Sequence, residues 1–261
     1  SDLKDGCSFG NAGMIVPSHI IPLAAPGMIS KGIRWMFNSS SPFYVKPRLS
    51  GDLIKWGYHF YKNATKEHVA KSAPALKEIS LLSKAMYQQL SKELPFDFGY
   101  HERGLLMLYQ TKETEHEEAE TAALANKHGI EARILSSSEV QTLEPDVKVN
   151  VRGGVYFPGD AHITPQAYVN QMITYLKELG VSIKSSTTVN DFRLENGKIK
   201  TMITDQGDFE FDEVILATGS WSGIMTSKLG ISLPMQAGKG YSFTLQDIEK
   251  NVRVPSIFLE A

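Results

Sequence analysis

A short strand–turn–helix pattern carries the most specific chemical signal in the sequence. The apolar run Val214–Ala217 leads into Thr218-Gly219 and then into Ser220-Trp221-Ser222. Such a run is typical of a parallel strand that is buried on both faces. Backbone N–H groups in the following turn can face a phosphate or an aromatic ring, and a glycine there lets the ligand approach closely. An ordinary junction capped by Ser220 has the same spacing, so the pattern leaves both interpretations open.

A second candidate is the loop Cys7–Met14, which is rich in small residues and side chains that can cap a turn. The backbone amides of such a loop can cradle a pyrophosphate. Glycine, asparagine and serine are also the common residues of plain turns. The composition of this loop alone does not separate a ligand cradle from a turn.

Three further groups are candidates for contact with a substrate. The segment Lys239–Tyr241 offers an ammonium and a phenol that can meet a substrate carboxylate, or it is an exposed turn. His162 follows a Gly-Asp turn and either approaches the reactive site or serves the entry into a helix. His19, in a proline-rich segment, either lines an entrance or is structural. The remaining histidines form no H-x-H or H-E-x-x-H pattern, so no metal site is predicted.

Composition excludes several classes of protein. The 261 residues are 42% hydrophobic and 21% charged, the balance of an ordinary globular protein. A net charge of −2 without a basic block gives nucleic-acid binding little electrostatic support. Cys7 is the only cysteine, which excludes an intrachain disulfide and favours a reducing compartment, so a cytoplasmic protein is expected. No apolar run approaches the ~18 residues of a membrane-spanning helix.

Hydrophobic periodicity and turn residues predict a mixed α/β chain. The predicted helices are Gly32–Phe37, Gly51–Lys62, Ala73–Leu94, Thr111–Gly129, one opened by the capping box Ser136–Glu139, and Thr164–Leu179. The predicted strands are Phe96–His101, Gly104–Tyr109, Gly153–Phe157, Val181–Lys184 and Glu213–Ala217, with a meander of Val189–Glu195, Lys198–Thr204 and Asp208–Phe211. Asn196-Gly197 is a strong hairpin signal between the first two meander strands. The pair Glu117-Glu118 is expected on a solvated helix face.

Several of these short motifs occur together in one order along the chain. They are Ser8-Phe9-Gly10-Asn11-Ala12-Gly13, Ala24-Ala25-Pro26-Gly27, Arg34-Trp35-Met36-Phe37, Phe157-Pro158-Gly159-Asp160-Ala161-His162, Leu216-Ala217-Thr218-Gly219-Ser220-Trp221-Ser222 and Lys239-Gly240-Tyr241-Ser242. In this order the sequence resembles the D-amino-acid oxidase and glycine-oxidase superfamily of flavoproteins, and within it the bacterial D-amino-acid dehydrogenases.

The resemblance implies a two-domain architecture. A partial FAD-binding, Rossmann-like domain with a β-meander is expected at 1–45 and 150–228. A partial substrate-binding domain with a mixed or antiparallel sheet and helices is expected at 46–149 and 229–261. The glycine-rich G-x-G-x-x-G loop of such domains is not found in the sequence, and the family pattern places it upstream of Ser1. The chain is therefore expected to be a fragment that also lacks a C-terminal segment.

The resemblance also implies roles for particular residues. On the pyrophosphate and flavin side of FAD it places Ser8, Asn11, Ala12, Gly13 and Met14. Val189 is expected at the adenine end, and the pyrophosphate and ribityl chain are expected near Ala217, Thr218, Gly219 and Trp221. The catalytic candidates are Tyr241, Lys239 and His162.

The implied activity is the oxidative deamination of D-amino acids by hydride transfer to flavin, with a quinone or another carrier as electron acceptor. Peripheral association with the inner membrane through Gly32–Phe37 and a homo-oligomer are further expectations. The chain by itself is expected to be inactive and poor in FAD, and to expose part of the Val214–Ala217 region. Two alternatives remain: an oxidase or dehydrogenase for glycine, sarcosine or D-hydroxyproline, and a non-catalytic interaction domain.

Overall fold

The computed structural model describes residues 6–36, 50–245 and 247–260, without the side chains of 34–36. Its helices are α1 (Met28–Met36), α2 (Gly51–Asn63), α3 (Lys66–Glu93), α4 (Lys112–Lys127), α5 (Ser137–Leu143), α6 (Pro165–Glu178) and α7 (Ser222–Ser227). Its strands are β1 (Met14–Ile15), β2 (Leu105–Tyr109), β3 (Arg133–Ser136), β4 (Gly153–Phe157), β5 (Ala161–His162), β6 (Val189–Glu195), β7 (Lys198–Thr204), β8 (Gly207–Glu210) and β9 (Ser256–Phe258). The mixed α/β class predicted from the sequence is confirmed.

A four-stranded mixed sheet in the order β3-β4-β2-β9 forms the centre of the core. β2 runs antiparallel to β4 and parallel to β9. Because successive side chains of a strand point to opposite faces, β2 serves two apolar clusters. Leu105 and Tyr109 pack with Ala122 of α4 on one side. Leu106 and Leu108 pack with Val140 of α5 on the other side.

This sheet crosses the predicted domain boundaries. β4 falls in the range assigned to the FAD-binding domain, yet it lies between β3 and β2 of the range 46–149. β9, from the range 229–261, completes the same sheet. The two-domain division stays a prediction. Strands from both sides of its boundary near residue 150 are hydrogen-bonded in one sheet.

The predicted meander is present as β6-β7-β8. Its first turn contains Asn196 at φ 52° and Gly197 at φ 76°. Both residues are thus in the left-handed region that an Asn-Gly hairpin requires. The turn between β7 and β8 is supported by Thr204, whose hydroxyl donates to the carbonyl of Gly207 at 2.6 Å.

The predicted strand Glu213–Ala217 is absent, and Ile215 is 90% exposed. A buried parallel strand forms only when neighbouring strands accept its backbone hydrogen bonds, and none of the described strands pairs with this run. The expected exposure of this region is therefore observed, whereas its expected strand is not. Val181–Lys184 likewise forms no strand, since it is paired with none of the described strands.

The predicted strand Phe96–His101 is replaced by an irregular segment whose aromatic rings fill the space between α3 and α6. Phe98 is 1% exposed, and its ring centroid lies 5.1 Å from that of Tyr168 on α6. Tyr168 also meets Tyr87 of α3, at 5.7 Å between centroids. This packing fixes α6 against α3, which begins at Lys66 behind the N-cap Thr65 and accommodates Pro74 in its interior.

The α4 face that carries Glu117 and Glu118 is not simply solvated. Lys31 of α1 forms an ion pair with Glu117 at 2.6 Å. One carboxyl oxygen of Glu118 is buried with no hydrogen-bond partner among the described residues. Desolvation, reinforced by Glu117 and Glu260, raises the pKa of Glu118 to about 7, although Lys31 lowers it.

We expect Glu118→Gln to stabilise the protein at pH 8 and to leave its stability nearly unchanged below pH 5. The folded-state pKa of Glu118 exceeds its ordinary 4.5, so its stabilising contribution is full below that value and is lost as the pH rises to about 7. Glutamine removes the buried charge, and the gain at pH 8 is on the order of 1 kcal/mol once partial exposure is allowed for. Urea unfolding at pH 5 and pH 8 measures the difference. Glu120→Gln, on a side chain 76% exposed, is the control and should show no such pH dependence.

Candidate functional site

The loop 6–13 is shaped by the side chain of Asn11. Its amide nitrogen donates to the carbonyls of Cys7 at 3.0 Å and Ser8 at 2.9 Å. Its oxygen accepts from the backbone nitrogen of Gly13 at 2.7 Å. The Asn11 amide is therefore engaged within the loop, and it defines the loop's path.

Gly13 joins this loop to the segment that precedes α6. Its backbone is left-handed, at φ 68°, and its carbonyl accepts from the backbone nitrogen of Ile163 at 2.9 Å. An added Cβ would overlap the carbonyl oxygen of Ile163 and lie 3.0 Å from Cδ of Pro165. The glycine permits β1 to pair antiparallel with β5, with Met14 opposite His162. Two parts of the sequence that were separate candidates are thus adjacent.

A cavity of about 530 Å³ opens beside this loop. It is lined on the loop side by Ser8, Asn11, Gly13 and Met14, and His19 lies on its wall. Opposite them are Ile79, Ser80, Ser83 and Tyr87 of α3 and Tyr168 and Val169 of α6. Four of the five predicted loop residues therefore share one cavity. Ala12, the fifth, is exposed between them.

His162 is half-buried beside this loop. Its backbone exchanges two hydrogen bonds of 2.9 Å with His101, and the two imidazole centroids are 5.5 Å apart. The Nδ1 atom of His162 is buried without a partner among the described residues. Burial, followed by the nearby His101 and Arg103, lowers the pKa of His162 and favours its neutral form. The protein encloses this nitrogen of the ring, and the backbone of His162 serves the entry into α6.

A hydrogen-bonded chain that the sequence did not suggest connects Asp160 to the cavity. Asp160 is 1% exposed and accepts from the backbone nitrogen of Ser18 at 3.1 Å and from its hydroxyl at 2.5 Å. Ser18 Oγ also lies 3.1 Å from Nδ1 of His19. Desolvation raises the pKa of Asp160 to about 6, opposed by the Ser18 hydrogen bonds and by Lys84. The signal in the sequence is weak, because 142 positions separate the two bonded residues.

The predicted residues at 217–221 lie in a different part of the structure. Gly219–Trp221 is a 3-10 turn leading into α7, and Gly219 has φ 52° with open space where a Cβ would project. Thr218 Oγ1 lies 3.1 Å from Oγ of Ser222, and Trp221 is 62% exposed. In the described ranges no hydrogen bond joins this turn, Ala217 or Val189 to the loop 6–13. The two predicted cofactor regions therefore do not meet in one site within the described residues.

Lys239 and Tyr241 lie on an extended, exposed segment. The Lys239 ammonium is 5.0 Å from the centroid of the Tyr241 ring, and Tyr241 is 80% exposed. The adjacent Ser242 approaches the loop, since an added Cβ on Gly10 would lie 3.7 Å from Ser242 Oγ. This places the predicted lysine–tyrosine pair near the outer side of the loop 6–13.

The chain belongs to the family described as DAO: FAD dependent oxidoreductase, which matches residues 1–259. This is the FAD-dependent family that the resemblance in its motifs implied. A D-amino acid dehydrogenase of Granulibacter bethesdensis is 28% identical over 252 residues, covering 94% of this chain and 60% of that protein. One from Helicobacter pylori is 30% identical over 246 residues, covering 94% and 58%. The chain thus spans about three-fifths of the length of these relatives.

Solved structures agree on the fold. Glycine oxidase from Bacillus cereus has a TM-score of 0.52 and 28% identity, over 58% of this chain and 43% of that one. Glycine oxidase from Geobacillus kaustophilus has a TM-score of 0.53 and 23% identity, over 60% and 44%. L-proline dehydrogenase from P. horikoshii has a TM-score of 0.51 and 23% identity, over 60% and 42%.

The described ranges lack two features, a membrane-spanning helix and a metal-binding cluster. No helix there is both long and apolar enough to cross a membrane. No group of three or more His, Cys, Asp or Glu side chains there is arranged to hold a metal ion.

Proposed function

We propose that this chain forms part of an enzyme that oxidatively deaminates D-amino acids with FAD as the electron acceptor. The observation that carries the proposal is the cavity in which the loop 8–14 meets His19, within a chain of the FAD-dependent family. The similarity to D-amino acid dehydrogenases over more than nine-tenths of the chain supports the substrate class.

Features of the described residues fit a bound FAD. Asn11 fixes the path of the loop 6–13 through its bonds to Cys7, Ser8 and Gly13. His162, whose buried Nδ1 has no partner among the described residues, lies next to this loop across the Met14–His162 pair. At Gly219 the space beside the backbone is free, as close approach of a ribityl or pyrophosphate group requires. We assign the pyrophosphate and flavin side of FAD to Ser8, Asn11, Ala12, Gly13 and Met14. The vicinity of the pyrophosphate and ribityl chain is assigned to Ala217, Thr218, Gly219 and Trp221, and the adenine end to Val189.

When bound, FAD supplies the two-electron acceptor that takes the α-hydrogen of the substrate as hydride. The amino acid loses that hydride and one N–H proton to become an imino acid, and water hydrolyses the imino acid to a 2-oxo acid and ammonia. Lys239 and Tyr241 offer a cation and a phenol for the substrate carboxylate, and neutral His162 offers a hydrogen bond near the loop. The cavity walls from α3 and α6 orient the side chain of the substrate.

The cofactor assignment predicts a low FAD content for the 261-residue chain. Its sequence has no G-x-G-x-x-G loop, and this loop with its helix N-terminus normally supplies the main pyrophosphate contacts. We expect the purified chain to show little absorbance at about 450 nm, where oxidised flavins absorb. The complete gene product should bind flavin and reduce an artificial acceptor with D-amino acids. Stoichiometric flavin in the 261-residue chain would contradict this assignment of contacts.

A second candidate is an oxidase for glycine or sarcosine, which the likeness to the glycine oxidase of Bacillus cereus favours. A panel of D-amino acids, glycine, sarcosine and D-hydroxyproline, assayed with one artificial acceptor, separates the two. Activity confined to glycine and sarcosine would reject the D-amino acid assignment. A complete gene product that oxidises none of these amines would support a non-catalytic role instead.

The natural acceptor that takes the electrons from the reduced flavin is proposed to be a quinone or another carrier. The enzyme is proposed to be attached peripherally to the inner membrane of the cell. The segment proposed for that attachment, Gly32–Phe37, lies partly outside the described residues. Of its side chains, Ile33 is 54% exposed. Comparing the rates of reduction of a soluble quinone analogue and of oxygen by the complete gene product tests the acceptor.

A further inference from the structure

The chain from Asp160 through Ser18 to His19 ends at the cavity that the proposed function uses. Asp160 and Ser18 are buried, whereas His19 is open to the cavity. These hydrogen bonds link two turns that lie far apart in the sequence. A polar chain that leads from a buried carboxylate to an imidazole on a cavity wall can orient that imidazole for chemistry.

The hydrogen bonds determine which nitrogen of His19 carries the proton and which is left without a partner among the described residues. Ser18 has one hydroxyl proton, and it donates that proton to Asp160 at 2.5 Å. The contact of 3.1 Å between Ser18 Oγ and His19 Nδ1 must then have Nδ1 as the donor. A neutral His19 therefore carries its proton on Nδ1 and presents the lone pair of Nε2. Within the described ranges no hydrogen bond engages Nε2, so it is available to a molecule in the cavity.

We propose that His19 accepts a proton from the substrate ammonium through Nε2, and that Ser18 and Asp160 are positioning residues that hold its ring in the required tautomer. This inference rests on the proposed function, because it names the group that would prepare the amine of that substrate. Loss of the ammonium proton leaves a neutral amine, whose nitrogen lone pair supports departure of the α-hydrogen as hydride. The proton passes from the substrate nitrogen to Nε2, and no bond to carbon changes in this step.

The charge state of His19 suits a proton acceptor. Burial by the surrounding protein lowers the pKa of its imidazole, which favours the neutral ring near neutral pH. The ionisable groups around the chain are Asp160 itself, Lys84 and Tyr87 of α3, Tyr168 of α6, His162 of β5, and Glu102, which is paired with Lys84 at 3.0 Å. Desolvation raises the pKa of Asp160, and the positive charge of Lys84 opposes this by lowering it.

The direct test is nuclear magnetic resonance of the complete gene product, which is the original protein for every variant and is labelled with ¹⁵N in its histidines and purified with its FAD. The nitrogen shifts of His19 report its tautomer, and a titration reports its pKa. We expect the Nδ1–H tautomer in the original protein and a loss of that preference in Ser18→Ala, which removes the hydroxyl but keeps the backbone bond to Asp160. The ring signals of His19 are assigned by their disappearance in the His19→Gln variant. An Nε2–H tautomer in the original protein, or an unchanged tautomer in Ser18→Ala, would overturn the proposal.

The kinetic test measures kcat/KM for a D-amino acid against pH, together with FAD content. His19→Gln should lower kcat/KM roughly 10²–10⁴-fold and remove its acid limb, with FAD content unchanged. Ser18→Ala should lower it less, by about tenfold to a hundredfold, and shift that limb. His116→Gln, on a side chain 80% exposed on α4, is the matched control and should leave the profile unchanged.

The two proposals fail in different ways. An active original protein whose His19→Gln variant keeps its kcat/KM and its pH profile would reject the role of His19 and leave the function standing. An inactive original protein would reject the function, while the tautomer measurement would still decide whether Ser18 orients His19. Circular dichroism of each variant identifies one that fails to fold. Asp160→Asn serves as a second positioning variant with the same two readouts, should Ser18→Ala not fold.

Discussion

Gly13→Ala is expected to lose roughly 2–5 kcal/mol of unfolding free energy and to disrupt the loop that borders the candidate cavity. The left-handed backbone at φ 68° penalises any Cβ by about 1–2 kcal/mol. The new methyl group would also overlap the carbonyl oxygen of Ile163, and relieving such overpacking costs about 1–3 kcal/mol more. Urea unfolding measures the total, and the FAD content of the complete gene product reports whether the loop keeps its shape.

Gly27→Ala is the matched control for this substitution. Gly27 also has a left-handed backbone, at φ 83°, but a Cβ there meets no atom within 4 Å. It should show only the backbone penalty of about 1–2 kcal/mol and should not change the FAD content. Equal losses in the two variants would mean that the carbonyl of Ile163 moves aside without penalty, and that the loop does not depend on the close approach at Gly13.

The features of the fold that the sequence predicted correctly depend on residues close together in the chain. The Asn196-Gly197 turn needs two adjacent residues of left-handed backbone. The capping box of α5 needs Ser136 and Glu139, which bond reciprocally as predicted. Near-neighbour chemistry of this kind is visible in a single sequence.

The features that the sequence missed depend on long-range partners. The apolar run Val214–Ala217 has the composition of a buried strand, but a strand is defined by its neighbours, and the described residues provide none. The pairing of Asp160 with Ser18, and the approach of Lys31 to Glu117 beside the buried Glu118, bring together residues that no local pattern relates. For the candidate site, the sequence identified the loop 8–14 and His162 separately, and the β1–β5 pairing is what brought them together.

The second large effect is expected at Glu144, which is 1% exposed. Its two carboxyl oxygens accept from the backbone nitrogens of Arg253 and Val254, each at 2.7 Å. These bonds hold the segment just before β9, where the Val254 side chain is buried in the cluster with Leu106. Glu144→Ala leaves both nitrogens without their acceptor, and a buried unpaired donor costs about 1–3 kcal/mol. We therefore expect a total loss of roughly 2–5 kcal/mol.

Hydrogen exchange can show that this loss arises at β9 rather than throughout the core. The amide of Leu106 donates to the carbonyl of Pro255 at 2.9 Å, and the amide of Leu259 donates to the carbonyl of Leu108 at 3.1 Å. Both amides should exchange faster in Glu144→Ala. Asp146→Asn is the control. It breaks the 2.6 Å ion pair between Asp146 and Arg253, and because both side chains are about half exposed, the pair contributes little to stability. A Glu144→Ala protein whose amides at Leu106 and Leu259 stay protected would show that the parallel pairing with β2 holds β9 without the carboxylate.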